Sequence, residues 1–113
     1  MIAGGKNRVV LATCGTLTEA RSIARVVVTK RLAACANIVL SPAESVYRWK
    51  GKVEKAREYL LLIKTTSKLL AGLEREVKRL HSYGVPEFIA LPIAAGSREY
   101  LAWLGESVKP SAR

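Results

Sequence analysis

The first apolar run, Arg8 to Cys14, is rich in β-branched residues and stops at Gly15. It is too short for a helix and predicts a buried strand. Thr16 followed by Glu19 has capping-box spacing: the hydroxyl can accept from an unpaired backbone N–H at a helix start while the carboxylate reaches back. From there Leu17, Ala20, Ile23, Ala24, Val27, Val28 and Leu32 recur at helical intervals, leaving Glu19, Arg21, Arg25 and Lys30 on the other side. That stripe reads as a core face. Next come two extended segments, Cys35 to Trp49 and Lys52 to Thr66, around the polar turn Lys50-Gly51, with Pro42 marking a bend or bulge. At about 3.3 Å per residue each arm could reach roughly 50 Å, against about 23 Å for the first strand. Much of this hairpin must overhang the sheet. A lone ribbon is marginally stable and leaves backbone groups unpaired, so strand length alone predicts pairing with further copies of the chain.

Ser67 is placed to cap a second helix, in which Leu69, Leu70, Leu73, Val77 and Leu80 repeat every three or four residues and Glu74 can pair with Lys78. That helix is predicted to stop near Tyr83-Gly84, ahead of Pro86. Phe88 to Ala94 reads as a last strand, put at an edge or bulge by Pro92. Gly96-Ser97 then opens a short amphipathic segment carrying Tyr100, Leu101, Trp103 and Leu104. The ends, Met1 to Arg8 and Lys109 to Arg113, read as loose tails. Strand, helix, strand, strand, helix, strand, terminal helix is the order of an α+β, ferredoxin-like βαββαβ sandwich with a long hairpin between its second and third strands. In that layout the first two strands run parallel with the third between them. Cys14 and Cys35 then fall at opposite edges and stay free thiols.

Composition narrows the reading. With 113 residues, half of them hydrophobic, the chain suits one domain over 1–113 with an ordered core at about 8–107. The longest apolar stretch, around Tyr59 to Ile63, is far below the roughly 18 residues of a membrane span. The start does not read as a signal peptide, and two cysteines suit a reduced compartment, so the expected location is the cytoplasm. The net charge of +10 raises a nucleic-acid or anionic-polymer partner. The excess is spread along the chain, densest at Arg21, Arg25, Lys30 and Arg31, which argues against such a partner.

Five ordered blocks carry a resemblance. Arg31-Leu32-Ala33-Ala34-Cys35-Ala36-Asn37-Ile38 is the first, and Tyr47-Arg48-Trp49-Lys50-Gly51-Lys52 the second. Glu58 with Lys64-Thr65-Thr66, then Leu80-His81-Ser82-Tyr83-Gly84-Val85-Pro86-Glu87 with Leu91-Pro92-Ile93, and Tyr100-Leu101-Ala102-Trp103-Leu104 follow. Across residues 9 to 104 the chain resembles the CutA (divalent-cation tolerance) family. The resemblance implies a homotrimer of ferredoxin-like subunits joined by the long hairpins, similar to P-II signalling trimers, with a role in tolerance of divalent cations, copper above all. In copper-binding bacterial relatives the proposed ligands are a first-strand cysteine and two adjacent histidines. Here Ala12 and Leu80 stand at two of those positions, leaving His81. Cys14, one pleat beyond Ala12, projects from the same face and is the substitute candidate. The plainer reading makes Cys14 a small buried hydrophobe and His81 a polar residue near a helix end. No cofactor is required, copper or another divalent cation being the candidate ion.

Cys35, Trp49, Glu58, Lys64, Tyr83 and Glu87 match recurring family positions and could line clefts between subunits. Such clefts suit a small anion, a metal–anion pair or a protein partner, as in a P-II-like signalling scaffold. Equally, Lys64 and Glu58 could form an interface ion pair, and Trp49 and Trp103 could be packing anchors. Gly-x-Ser-x-Gly, P-loop, dinucleotide and Cys-x-x-Cys signatures are missing. The expectation is a protein that is not an enzyme.

Overall fold

Side chains alternate in burial along the longest strand, and that alternation fixes which face the helices cover. In the computed structural model, which describes residues 1–108, the elements in chain order are β1 (Ile2–Ala3), β2 (Asn7–Cys14), α1 (Leu17–Thr29), β3 (Cys35–Ile38), β4 (Ala43–Trp49) and β5 (Lys52–Thr66), then α2 (Leu70–Leu80), β6 (Ile89–Pro92), β7 (Ala95–Gly96) and α3 (Arg98–Ser107). The main sheet has the order β3-β5-β2-β6, with β4 pairing only to β5. Both β2 and β3 are antiparallel to β5, so they run parallel to each other with β5 between, as the element order predicts. This is an α+β, ferredoxin-like fold. Val10, Ala12 and Cys14 of β2 and Leu61 and Ile63 of β5 meet Ala20, Ile23 and Val27 of α1 and Leu73 and Val77 of α2 in a core with no solvent exposure. Each large apolar side chain buried there is worth about 1.5–3 kcal/mol relative to exposure.

The hairpin tip is a two-residue turn. Lys50 (φ 49°) and Gly51 (φ 80°) are both left-handed, the geometry whose twist matches the flanking strands. The bend at Pro42 is a bulge in register: Ile38 faces Leu61 and Ala43 faces Glu58, so residues 39–42 of one arm oppose only 59 and 60 of the other. The last β2–β5 pair is Cys14 with Tyr59. Beyond it, residues 52–58 have only β4 beside them, and the hairpin overhangs as predicted.

Several local expectations are corrected. The start is not frayed: Ile2 and Ala3 pair with Gly96 and Ala95, and Gly4 packs so close to Ile93 that a Cβ there would strike its carbonyl. The capping box is half formed. Thr16 accepts from the Glu19 N–H at 3.2 Å, but the Glu19 carboxylate turns to Ser82 instead of reaching back. Val28 lies outside the core stripe, 38% exposed. A 3-10 turn, Ser67–Leu69, precedes α2, whose start has no side-chain cap. The helix ends at Leu80, three residues earlier than the Tyr83 stop, because His81 is already extended. The last strand shrinks to Ile89–Pro92, at the sheet edge, where a proline removes no ladder bond. Ser97 caps α3 by accepting from the Tyr100 N–H at 3.0 Å. The Lys109–Arg113 tail lies outside the described residues. Among those described, no helix is long and apolar enough to cross a membrane.

Candidate metal-ligand cluster and the adjoining cleft

A two-residue link, Gly15-Thr16, folds the first turn of α1 back over the end of β2, so Glu19 comes to rest beside Cys14. His81 joins them from the far end of α2. Its extended backbone (φ −85°, ψ 141°) aims the ring at β2, where Nε2 lies 2.6 Å from the Thr13 carbonyl oxygen. One donor atom each from Cys14, Glu19 and His81 falls within 4.8 Å of the others, the one such group of three or more among the described residues.

Hydrogen bonding assigns the imidazole tautomer. Nδ1 accepts from the Tyr83 N–H at 3.1 Å, which leaves the proton on Nε2, donated to Thr13. A backbone carbonyl orienting one ring nitrogen is the arrangement that ligating histidines use, with the other nitrogen turned to the ion. That other nitrogen, Nδ1, is 3.5 Å from a Glu19 oxygen, near the roughly 3.3–3.8 Å separating two ligands of one tetrahedral ion at 2.0–2.3 Å. Two features resist. The Tyr83 N–H bond to Nδ1 must yield, and burial, then the Glu19 and Glu58 charges, push the Cys14 thiol up to about 12, so it is protonated until an ion displaces the proton. The sulfur, nitrogen and oxygen set fits a borderline-soft divalent cation on those terms.

Beside the cluster opens a cleft of about 590 Å³ lined by Thr13, Ser45, Val46, Tyr47, Trp49, Glu58, Tyr83, Gly84, Val85 and Glu87. Glu58 is 9% exposed. Its carboxylate accepts from the Thr13 hydroxyl at 3.2 Å, and burial, then the nearby Glu58 carboxylate, holds the Tyr83 phenol up at about 12. Tyr83 also packs its ring on His81, centroids 4.6 Å apart. Gly15 leaves room for it: a Cβ there would sit 3.2 Å from the phenol oxygen.

Of the six cleft candidates, Trp49, Glu58, Tyr83 and Glu87 line this space and Cys35 and Lys64 do not. Those two face each other across β3 and β5, where both the Lys64 ammonium and the Cys35 thiol donate to the Asn37 side chain. Glu58 lies six residues from Lys64 along β5, roughly 20 Å, so the pair forms no ion pair within one chain. Trp49 and Trp103 are 47% and 45% exposed, and Trp103 stacks on Tyr100 at 5.3 Å. Sequence reasoning missed Glu19, Thr13 and Tyr47. The signal for Glu19 was the short strand-to-helix link, which places a first-turn side chain over the strand end.

A family model described as CutA1 divalent ion tolerance protein matches residues 8–107. The chain is 52% identical over 99 residues to the divalent-cation tolerance protein CutA of Thermus thermophilus, covering 88% of this chain and 95% of that one. A solved structure of the Thermus thermophilus protein superposes with a TM-score of 0.87 at 51% identity, covering 89% and 97% of the two chains. The periplasmic divalent cation tolerance protein CutA of Archaeoglobus fulgidus superposes with a TM-score of 0.87 at 40% identity over 91% and 99%.

Proposed function

Because the chain belongs to the CutA1 divalent ion tolerance family, we propose that it is a non-enzymatic, cytoplasmic homotrimer that serves divalent-cation tolerance by taking up copper, or a similar ion, at Cys14, Glu19 and His81. The observation that carries this reading is the convergence of those three donors within 4.8 Å. The ring of His81 is oriented by Thr13, Glu19 supplies the counter-charge, and Cys14 supplies a thiolate once its proton leaves. Assembly is supported by unpartnered apolar surface. Ile89 and Leu91 on the sheet, and Val46, Tyr47, Trp49 and Val53 on the hairpin, are each more than 40% exposed, apolar surface suited to burial against further copies. Two free thiols suit a reducing compartment.

Copper titration followed by calorimetry and electron paramagnetic resonance tests the site. Wild type should bind one ion per chain, and His81→Ala, Cys14→Ala and Glu19→Gln should each weaken it by roughly 10- to 100-fold. Affinity unchanged in all three variants would remove the site. Light scattering on the same samples should return three chain masses.

A further inference from the structure

Folding gathers basic charge at one place where the sequence leaves it scattered. A second cleft, of about 660 Å³, opens between the end of α1, the link from β5 to α2 and one flank of α3. Lys30 and Arg31, half of the densest basic group in the sequence, stand there with Lys6 and Lys68, and among the described residues one carboxylate, Glu106, lines it with them. The Ser67 N–H donates to the Lys6 carbonyl at 2.8 Å, which ties the backbones carrying Lys6 and Lys68 together. Lys30 already meets Glu76 at 2.6 Å. Among the described residues, Lys6 and Lys68 have no carboxylate within 4.0 Å.

Arg31 is the least expected of the four. α1 closes in a Schellman motif, the Leu32 N–H donating to the Val27 carbonyl at 2.9 Å and the Arg31 N–H to the Val28 carbonyl at 3.0 Å. That motif needs a left-handed residue just past the helix, a place glycine fills without strain, and Arg31 takes it with φ at 59°. Strain of this kind collects where a side chain is required, and here it sets an arginine at the cleft.

The cleft also lies clear of the surfaces that further copies of the chain would cover. Thr66 in its wall pairs with Asn7 at the start of β2, eight residues along β5 from Glu58 and roughly 26 Å away. None of the lining residues belongs to the projecting hairpin, residues 43–58, or to β6. The floor is apolar, with Leu32 and Leu69 half-buried and Val108 buried. Lysine and arginine around an apolar floor match a phosphoryl group carried on a carbon body, and the volume lies in the range of small-molecule sites. We propose that this cleft binds a small organic phosphate, with Lys6, Arg31 and Lys68 holding the phosphoryl oxygens and Leu32 and Leu69 packing the carbon body. Binding here needs neither a metal ion nor a neighbouring subunit and is separable from the copper reading above.

Calorimetry on the full chain in the presence of a chelator tests it, with phenyl phosphate as the probe and inorganic phosphate, benzoate, a short DNA duplex and phosphatidic-acid vesicles as comparisons. Phenyl phosphate should bind saturably at one site per chain, roughly fivefold or more tighter than inorganic phosphate or benzoate. Lys6→Ala, Lys68→Ala and Arg31→Gly should each weaken it by roughly three- to tenfold, and Lys78→Ala at the far end of α2 should leave it unaltered. Lys6 and Lys68 are exposed, so those two variants carry the test even where Arg31→Gly loosens the end of α1 by circular dichroism. No saturable heat from phenyl phosphate, affinity no greater than that of inorganic phosphate, or binding indifferent to both lysines would each overturn the proposal. So would binding confined to the DNA duplex or to the vesicles, the mark of a charged surface rather than a small-molecule site.

Discussion

The two halves of β5 share one strand and one alternation, yet they live in different surroundings. From Tyr59 to Thr66 the strand lies between β2 and β3 beneath the helices, and Leu61, Ile63 and Thr65 are fully buried. From Lys52 to Glu58 it has only β4 for company, and Val53, on the same face as Leu61, is 65% exposed. Lys55 and Arg57 occupy the helix-facing parity where no helix arrives. Strand propensity is therefore similar in both halves, and neighbours alone decide burial. The candidate chemistry sits at the junction: Cys14 opposes Tyr59, and Glu58 is the first residue past it.

The sharpest way to break this comparison is truncation on one face. Leu61→Ala should cost about 2–5 kcal/mol in urea unfolding, the range for a fully buried leucine. Val53→Ala should cost about 0.5 kcal/mol or less if the ribbon stands free in solution. A cost for Val53→Ala above about 1 kcal/mol that rises with protein concentration would show instead that the projecting half is buried between copies.

A smaller effect is expected at the junction when pH is raised in the presence of a chelator. Folding lifts the Cys14 thiol from 9.0 to about 12 and the Tyr83 phenol from 10.0 to about 12, so the unfolded chain loses these protons first. Their stabilising contribution is complete below about pH 9 and is lost as pH climbs to about 12. Cys14→Ala with Tyr83→Phe should flatten the fall in stability over that window. Identical slopes in variant and wild type would show that other groups govern it.

The sheet order, the overhang and the Lys50-Gly51 turn were legible because each rests on local periodicity or turn chemistry. Helix ends were less so. His81 leaves the helix with its ring held between the Tyr83 N–H and the Thr13 carbonyl, and the second of these lies 68 residues away, a contact that no capping pattern announces. Glu19 was legible as a capping residue and not as a neighbour of Cys14 and His81, since its carboxylate is drawn away by the Ser82 N–H at 2.9 Å. The pairing of Ile2–Ala3 with Ala95–Gly96 joins the first strand to the segment just before α3 and has no local signal. The resemblance placed Lys64 and Glu87 in one group, but Glu87, in the loop before β6, lines the cleft while Lys64 on β5 faces Cys35 of β3 outside it.

The tip of the projecting half offers the smallest and most local test. Lys50 holds φ at 49°, a left-handed conformation that costs most residues roughly 1–2 kcal/mol and that asparagine, the favoured partner of glycine in such turns, tolerates better. Lys50→Asn removes part of that strain. It also removes the ammonium 6.0 Å from the Trp49 ring, an exposed contact worth about 0.5 kcal/mol or less at that distance. The net gain should be a few tenths to about 1 kcal/mol, and it belongs to the ribbon alone. Amide exchange should slow across residues 43–58 while Leu61 and Ile63, whose protection follows global unfolding, barely change. Slowing of equal size in both halves would mean that the ribbon opens only with the core. Faster exchange in the ribbon would mean that the Lys50–Trp49 contact outweighs the strain.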